Sequence, residues 1–457
     1  MAGFSTSYNI ANQALQAFQT ALDITGENVT NVNTEGYTRQ QVNLSASLAI
    51  DQIGTHPYQV GTGVTIDGVS QIRNSLLDVS SWNAQSDLGK YGTLSTYMQG
   101  IQSAFPEPGA NGISAAMTQF FNSWSGLASN PGASAAKLTV QQAATTLTQR
   151  VQSTYGQLQQ QAQSVKTTLA GTFDQADQLT QDIAKLNQQI STTAAGGSQA
   201  NGLLDQRNLD IKKLSGLVDI QTTQNSDGSL NVYTNGFNLV DKGGSNNIPR
   251  NYDASTMTLT DGTHTVPIQS GQITGLIQSL GKINSTEQQL DTMANSLKSQ
   301  VNAAYGGGKN ATGQTGQKFF NDADPQSGAI DFSVTQAILA NSNAIATGPT
   351  GNAGDGATAL AVSKLTSTPI AGLGAKSFGD YYTGMVGAVG TDAQYYTNAE
   401  STQTAVVQQI SNQQQSVSGV NVDEEMSNML KYQRSYEAAA KALSIFDQST
   451  ENLLQMI

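Results

Sequence analysis

The sequence contains no cysteine in 457 residues. That removes disulfides, thiolate nucleophiles and cysteine-based metal sites together, and it is compatible with an extracellular bacterial product. Charge is also scarce. Only 12% of residues are Asp, Glu, Lys or Arg, about half the roughly 25% usual for soluble globular proteins. The polar surface must come from Gln, Asn, Ser and Thr, a composition that suits long helices packed side by side on uncharged faces. The net charge is −12, and no basic stripe is present to displace counterions from phosphates, so nucleic acid is excluded as a partner. An anionic membrane surface is disfavoured for the same reason. No segment approaches the ~18 consecutive apolar residues that cross a bilayer, so no membrane insertion is expected. Met1 to Thr25 hold no Lys or Arg and no apolar run; they do not read as a cleaved secretory leader, and export is expected by a route that needs none.

Proline is absent before Pro57, between Pro131 and Pro249, and after Pro369. A proline inside a helix costs about 3 kcal/mol, so these gaps are where long helices fit, and heptad stripes fill them. Ala11, Leu15, Phe18, Leu22, Thr25, Val29 and Val32 step by four and three, with Ile10, Ala14, Ala17, Ala21 and Ile24 beside them. At the other end Val422, Met426, Met429, Gln433, Tyr436, Ala440 and Leu443 repeat the step, and Tyr432, Tyr436, Ala439, Leu443, Phe446, Thr450, Leu453 and Ile457 adjoin them. Three internal helices are expected on the stripes opening at Val151, Leu276 and Met385. Strands are confined. Asp227-Gly228 is a hairpin turn between Ile220–Thr223 and Leu230–Tyr233, and Asp261-Gly262 is a second between Thr256–Leu259 and Thr263–Ile268, since Asp-Gly supplies the positive φ such turns need.

The expected fold is mainly α with a small β-rich domain: terminal coiled-coil helices plus a long-helix bundle built from both chain ends. Residues 1–40 and 418–457 form the terminal helical domain, and 41–72 an extended linker. Residues 73–216 with 271–305 and 375–417 form the bundle, and 217–270 with 306–374 a β-rich outer insertion.

No catalytic, cofactor or metal site emerges. His56 and His264 stand far apart with no ligand pattern around either. Gly306-Gly307-Gly308-Lys309-Asn310 fails as a phosphate loop, because Ala303 replaces the first Gly and Asn310 the Ser/Thr. Asp322-Ala323-Asp324-Pro325 fails as a calcium loop, with Ser327 where Gly is needed and Ser333 where Glu is needed. Asp423, Glu424 and Glu425 are acid/base material in principle, but at the first turn of the last helix the helix dipole accounts for them. No cofactor is expected, and the chain does not read as an enzyme.

The terminal stripes carry modest side chains. Their burial alone does not offset the backbone entropy of ordering some 25 residues, so a lone terminal helix needs a partner. The opposite terminal helix is the first candidate and another copy of the chain the second; the alternative is that both ends pack on the bundle of one monomer. Leu15, Phe18, Leu22, Val29, Met426, Met429, Tyr436, Leu443, Phe446, Leu453 and Ile457 are the candidate inter-subunit residues.

Asn28-Val29-Thr30-Asn31-Val32-Asn33-Thr34-Glu35-Gly36-Tyr37-Thr38-Arg39-Gln40 resembles the N-terminal motif of flagellar rod, hook and hook-associated proteins. Its Gly-Tyr-Thr-Arg-Gln ending resembles the hook-associated protein 1 family in particular. Ser418 to Glu425, with Asp423, Glu424 and Glu425, and then Leu430 to Lys441, is similar to that family's C-terminal signature. Asn201-Gly202-Leu203-Leu204-Asp205-Gln206-Arg207-Asn208 and Gly316-Gln317-Lys318-Phe319-Phe320 are similar to its interior elements. Glu27 and Asn208 depart from the pattern. The junction motif proper is Asn28, Asn31, Asn33, Gly36, Tyr37, Arg39, Gln40, Asp423, Glu424 and Glu425. Read locally, the Asn residues suit a helix end and Gly36 a sharp turn.

The resemblance implies a structural, self-assembling subunit of the bacterial flagellum that couples hook to filament. It implies location outside the cell in the flagellum after type III export. Its partners would be copies of itself, the hook protein, the second hook–filament junction protein and a cytoplasmic export chaperone at the C-terminal helical region. The competing expectations are another axial subunit, hook or rod, and a secreted helical adhesin or effector.

Overall fold

The structure is a computed structural model that describes residues 2–52, 58–196, 199–310, 312–315, 317–322 and 328–455. The chain opens on α1 (Ala2–Thr30) and continues through β1 (Gln40–Ala46), β2 (Ile50–Gln52), β3 (Tyr58–Val60) and β4 (Val64–Gln71). Four helices follow: α2 (Ser75–Ser103), α3 (Ile113–Ser129), α4 (Ser134–Ala195) and α5 (Asn201–Leu217). Seven short strands come next, β5 (Gln221–Gln224), β6 (Leu230–Thr234), β7 (Phe237–Asp241), β8 (Gly244–Ser245), β9 (Asn251–Asp253), β10 (Thr258–Thr260) and β11 (Thr265–Pro267). The chain closes with α6 (Gln272–Tyr305), the short α7 (Gln336–Ala340) and α8 (Ala357–Lys364), then α9 (Phe378–Ser418) and α10 (Val422–Gln455). The fold is therefore mainly α with a small sheet-rich region, and both Asp-Gly hairpins occur. Gln221 pairs with Tyr233 and Gln224 with Leu230, while Thr258 pairs with Pro267 and Thr260 with Thr265. Gly228 and Gly262 take φ of +82° and +94°.

The long internal helices extend beyond the stripes that mark them. The stripe opening at Val151 continues backward through Leu147, Ala144 and Val140, all fully buried, and α4 begins at Ser134. Contacts divide the chain into two compact units, and the division falls inside α2, α4 and α9.

The first unit comprises residues 1–87, 174–249 and 403–457. In it α1 packs along α10, and α1 also meets the antiparallel pair β1–β4. Small groups of α1, Ala11, Ala17, Ala21 and Thr25, are buried in this packing. The four-stranded sheet β5-β6-β7-β8 is held by Asn187 of α4. Its amide donates to Leu230 O at 2.7 Å and accepts from Leu230 N at 3.0 Å, closing an otherwise open strand end.

The second unit comprises residues 88–173 and 250–402. Its core is a group of rings: Phe120 and Trp124 of α3, Tyr305 of α6, then Phe319, Phe320 and Phe332, all buried to within 1%. Trp124 and Phe319 meet edge to face at 5.1 Å, and Phe320 and Phe332 are tilted at 4.7 Å, within the separations that favour aromatic pairs. Asn302 fixes the Phe-Phe step by accepting both backbone N–H groups at 2.9 Å. Residues 306–374 carry α7, α8 and isolated bridges such as Phe320 with Val334.

Candidate functional site

The resemblance motifs converge in the first unit. Asn28 lies in the last turn of α1 and is 1% exposed. Its amide does not turn the chain, as a local reading of the sequence suggests, but fastens three segments. Asn28 Oδ1 accepts from Tyr37 Oη at 2.8 Å and from Gln40 N at 2.9 Å. Asn28 Nδ2 donates to Gln40 O at 2.9 Å and to Glu425 Oε2 at 3.2 Å. All four of its hydrogen-bonding positions are thus used, which is what allows so polar a group to be buried. Asn31 closes α1, its Nδ2 donating to Glu27 O at 3.1 Å, whereas Asn33 is exposed.

Gly36 makes the turn that brings the loop back. Its φ is +82°, and a Cβ there would lie 3.3 Å from Leu209 Cβ, so both backbone and space require glycine. Tyr37 follows, its phenol pushed up to about 12 by burial first and then by the Glu27 carboxylate; it remains a donor to Asn28 throughout the neutral range.

Arg39 spans the two ends of the chain. Its backbone N–H donates to Ser418 O at 3.0 Å, and its own carbonyl accepts from Ile72 N at 2.9 Å. The guanidinium reaches α10, with Nη1 3.1 Å from Glu424 Oε2 and Nε 2.7 Å from Glu425 Oε1. The second contact is an ion pair without an aligned hydrogen bond. Glu424 is 56% exposed and Glu425 only 3% at the side chain, so screening weakens the first pair and spares the second. Asn421 caps α10, its Oδ1 accepting from Asp423 N at 3.1 Å. Asp423, Glu424 and Glu425 do occupy the first turn, where the helix dipole favours them; the partnership of the last two with Arg39 is what sequence alone did not reveal.

The interior motif on α5 completes the site. Asp205 accepts from Thr38 N at 3.1 Å and from Gln71 Nε2 at 2.8 Å, and Arg73 Nη1 lies 3.7 Å away. Burial nonetheless raises its carboxyl above the ordinary range. Asn201 donates to Gln40 Oε1 and Val69 O, each at 2.8 Å. Arg207, 3% exposed, donates to Gly228 O at 2.7 Å and Asn187 Oδ1 at 3.1 Å; burial, with some repulsion from Arg73, lowers it to about 10. Arg73 also pairs with Asp78 at 3.0 Å, and Gln414 of α9 donates to Asp78 at 3.0 Å. A polar cleft of about 840 Å³ opens beside this knot, lined in part by Val32, Trp82, Lys212 and Val422. The arrangement holds chain segments together.

The apolar candidates on the terminal helices lie differently. Leu15, Phe18, Leu22 and Val29 are half-buried, as are Met429, Tyr436, Leu443 and Phe446. Met426 is 47% exposed, in a row with Val422 and Leu430 spaced four apart. Ile457 lies outside the described residues, as does the side chain of Leu453. Of the remaining sequence features, His56 is also outside them. His264 lies 3.0 Å from Asp261 at an exposed turn, and Asp322 pairs with Lys318 at 2.7 Å. Among the described residues no cluster of three potential ligands is present, and no helix is long and apolar enough to cross a membrane.

Comparison with known proteins agrees with these motifs. Residues 98–320 match the family model described as flagellar hook-associated protein FlgK helical domain. Residues 407–456 match flagellar basal body rod FlgEFG protein C-terminal, and 9–38 match flagella basal body rod protein. The chain is 29% identical to flagellar hook-associated protein 1 of Bacillus subtilis (strain 168), over 97% of this chain and 96% of that protein. It is 25% identical to the protein of the same description from Escherichia coli (strain K12), over 97% and 99% respectively. The structure of the flagellar hook junction protein FlgK from Burkholderia pseudomallei shares the fold, with a TM-score of 0.63 at 19% identity, covering 76% of this chain and all of that one. In the motifs that assemble this site, and in likeness over nearly its full length, the chain is similar to the flagellar hook-associated protein 1 family.

Proposed function

We propose that this chain is a structural axial subunit of the bacterial flagellum, placed at the junction of hook and filament, where it couples one to the other mechanically. The observation that carries the reading is the pairing of α1 with α10, fastened by Asn28, Arg39 and Glu425, in a chain whose relatives over nearly its full length are hook-associated proteins. The pair leaves Val422, Met426 and Leu430 of α10 exposed at 41–55%. An exposed apolar row gains by burial against a copy of the same surface or a neighbouring axial subunit.

Self-association and contact with hook components follow from this reading. The finer partners are the hook protein on one side, the second hook–filament junction protein on the other, and an export chaperone that holds the C-terminal helical region beforehand. Residues 1–40 and 418–457 form the inter-subunit layer, with Leu15, Phe18, Leu22, Val29, Met429, Tyr436, Leu443 and Phe446 completing it as subunits close around one another. The role is not enzymatic, and the subunit acts outside the cell. The separate match of residues 98–320 to the hook-associated helical domain favours the junction over a hook or rod position. Electron microscopy of a strain lacking the gene tests the reading. Hooks without filaments, with filament monomers lost to the medium, are expected; normal filaments overturn it.

A further inference from the structure

Helix α4 starts without a cap. It follows the turn Asn130-Pro131-Gly132 and Ala133, whose methyl group accepts nothing, and its first turn holds no Asp or Glu. Lys137 N donates to Ala133 O at 3.2 Å and begins the helical ladder. For the N–H groups of Ser134, Ala135 and Ala136 no acceptor is found among the described residues. Ser134 and Ala135 are exposed, so a ligand can reach these donors. Other helices are closed at this point. Asn74 Oδ1 accepts from Leu76 N at 3.0 Å at the start of α2, and Ser377 Oγ accepts from Asp380 N at 3.1 Å at the start of α9. The one charged side chain in the first turn of α4 is Lys137, and its sign is adverse to the helix dipole. It is 6% exposed, burial lowers its pKa, and among the described residues it has neither an acceptor nor a carboxylate partner. Gln141, one turn further along the same face, donates to Ile338 O and Leu339 O at 2.8 Å each. That amide is satisfied where the Lys137 ammonium is not. Helical side chains lean back toward the N-terminus, which carries the ammonium toward the open N–H groups. The loop containing Ala353 lies against Gly132, but its Asp355 is committed to Thr350 N at 2.9 Å and Ala357 N at 3.2 Å.

We propose that the N-terminus of α4 is an oxyanion site, in which the N–H groups of Ser134, Ala135 and Ala136 and the ammonium of Lys137 together take one carboxylate or phosphate group. An oxyanion there meets the positive end of the helix dipole, gives acceptors to donors that only water otherwise satisfies, and gives a buried ammonium its counter-charge. A lysine that merely reaches water through its tip would require none of the three N–H groups. Two sources present this chemistry. One is a free oxyanion; the other is an Asp or Glu side chain of a second copy of this chain, in which 33 acidic residues outnumber 21 basic ones. The site lies within the second unit and does not depend on the hook–filament reading.

Inorganic phosphate is the probe, added to the full-length chain while denaturant unfolding is read at Trp124. Phosphate raises the unfolding midpoint of the unaltered chain and the rise saturates. Lys137→Met weakens the apparent phosphate affinity about tenfold or more, the scale of a lost hydrogen bond to a charged group. Ala133→Asp places a carboxylate at the N-cap, so it raises the midpoint in the absence of phosphate and removes the response to it. Because that variant adds stability, it decides the matter even if Lys137→Met folds poorly. The general effect of phosphate on burial raises every variant alike and does not saturate. Three outcomes overturn the site: no saturable rise in the unaltered chain, an equal saturable rise in Lys137→Met, or a full response in Ala133→Asp. Sedimentation then separates the two sources. With a carboxylate of a second copy as occupant, both variants and added phosphate weaken self-association. With a free oxyanion as occupant, self-association is unchanged while the phosphate response persists.

Discussion

Asp205 on α5 accepts the backbone N–H of Thr38 at 3.1 Å, and through that one bond the interior motif and the N-terminal motif become parts of the same structure. Asp205→Ala strands the Thr38 N–H and the Gln71 amide, and a loss of about 2–3 kcal/mol from the first unit is expected; Asp205→Asn keeps one acceptor and loses less. The chain has two tryptophans, Trp82 in the first unit and Trp124 in the second, so denaturant titration of single-tryptophan variants reads each unit separately. The Asp205 carboxyl is raised above its ordinary 3.8 by burial. Its protonated form is favoured by folding, so its contribution is present below the unfolded value and lost as pH rises through the folded one. Asp205→Asn should therefore flatten the stability profile just above pH 3.8.

Glu287 and Asp291 sit one turn apart on α6. Burial first, then repulsion from Asp291, raises Glu287, with Lys166 partly opposing, and Glu287 Oε1 is enclosed without a hydrogen-bond partner. Glu287→Gln is expected to raise the melting temperature of the second unit by about 1–3 °C at neutral pH. The sign follows from the raised value: the ionised form opposes folding, so the gain disappears below the ordinary carboxylate range. Calorimetry at pH 7 and pH 4 checks both halves of the prediction; an equal gain at the two values would refute it.

Phe319 stands among Phe120, Trp124, Tyr305 and Phe320 with centroid separations of 5.0–6.0 Å. Phe319→Ala removes a fully buried ring from a close-packed site, and a cost of about 3–5 kcal/mol is expected. The loss is read by the Trp124 signal and should leave that of Trp82 unchanged.

Met426→Glu with Leu430→Glu alters two exposed positions, so monomer stability should stay within about 0.5 kcal/mol while self-association measured by sedimentation falls. Ala21→Leu does the reverse. Ala21 is 1% exposed on the α1 face, and overpacking there should cost about 1–3 kcal/mol, seen as loss of helix signal in dilute monomer.

What the sequence disclosed depended on the range of the signal. The hairpin at Asp227-Gly228 was legible because its turn and both strands lie within a dozen residues, and the terminal helices because their stripes repeat over several turns. The helix α2 was not singled out: its apolar side chains are spread around the helix, with Trp82, Leu94, Met98 and Ile101 buried while Leu76 and Val79 are exposed. On α1 the buried small groups Ala11, Ala17, Ala21 and Thr25 come from both stripes, while the larger Leu15, Phe18 and Leu22 stay half-buried. The pairing of Arg39 with Glu425 bridges nearly the whole chain. Resemblance marked both residues as belonging to a motif, but only coordinates bring them together.

That pairing also fixes an order of events during synthesis. The loop carrying Thr38, Arg39 and Gln40 is made long before its partners Ser418, Glu424 and Glu425, since Arg39 and Glu424 lie 385 residues apart. The first unit as a whole takes its pieces from the beginning, middle and end of the chain, and such remote closures are slow to form. The nascent polypeptide therefore carries this loop unpartnered until those distant residues have been made, whereas hairpins such as β5–β6 have all their parts within reach as soon as they emerge.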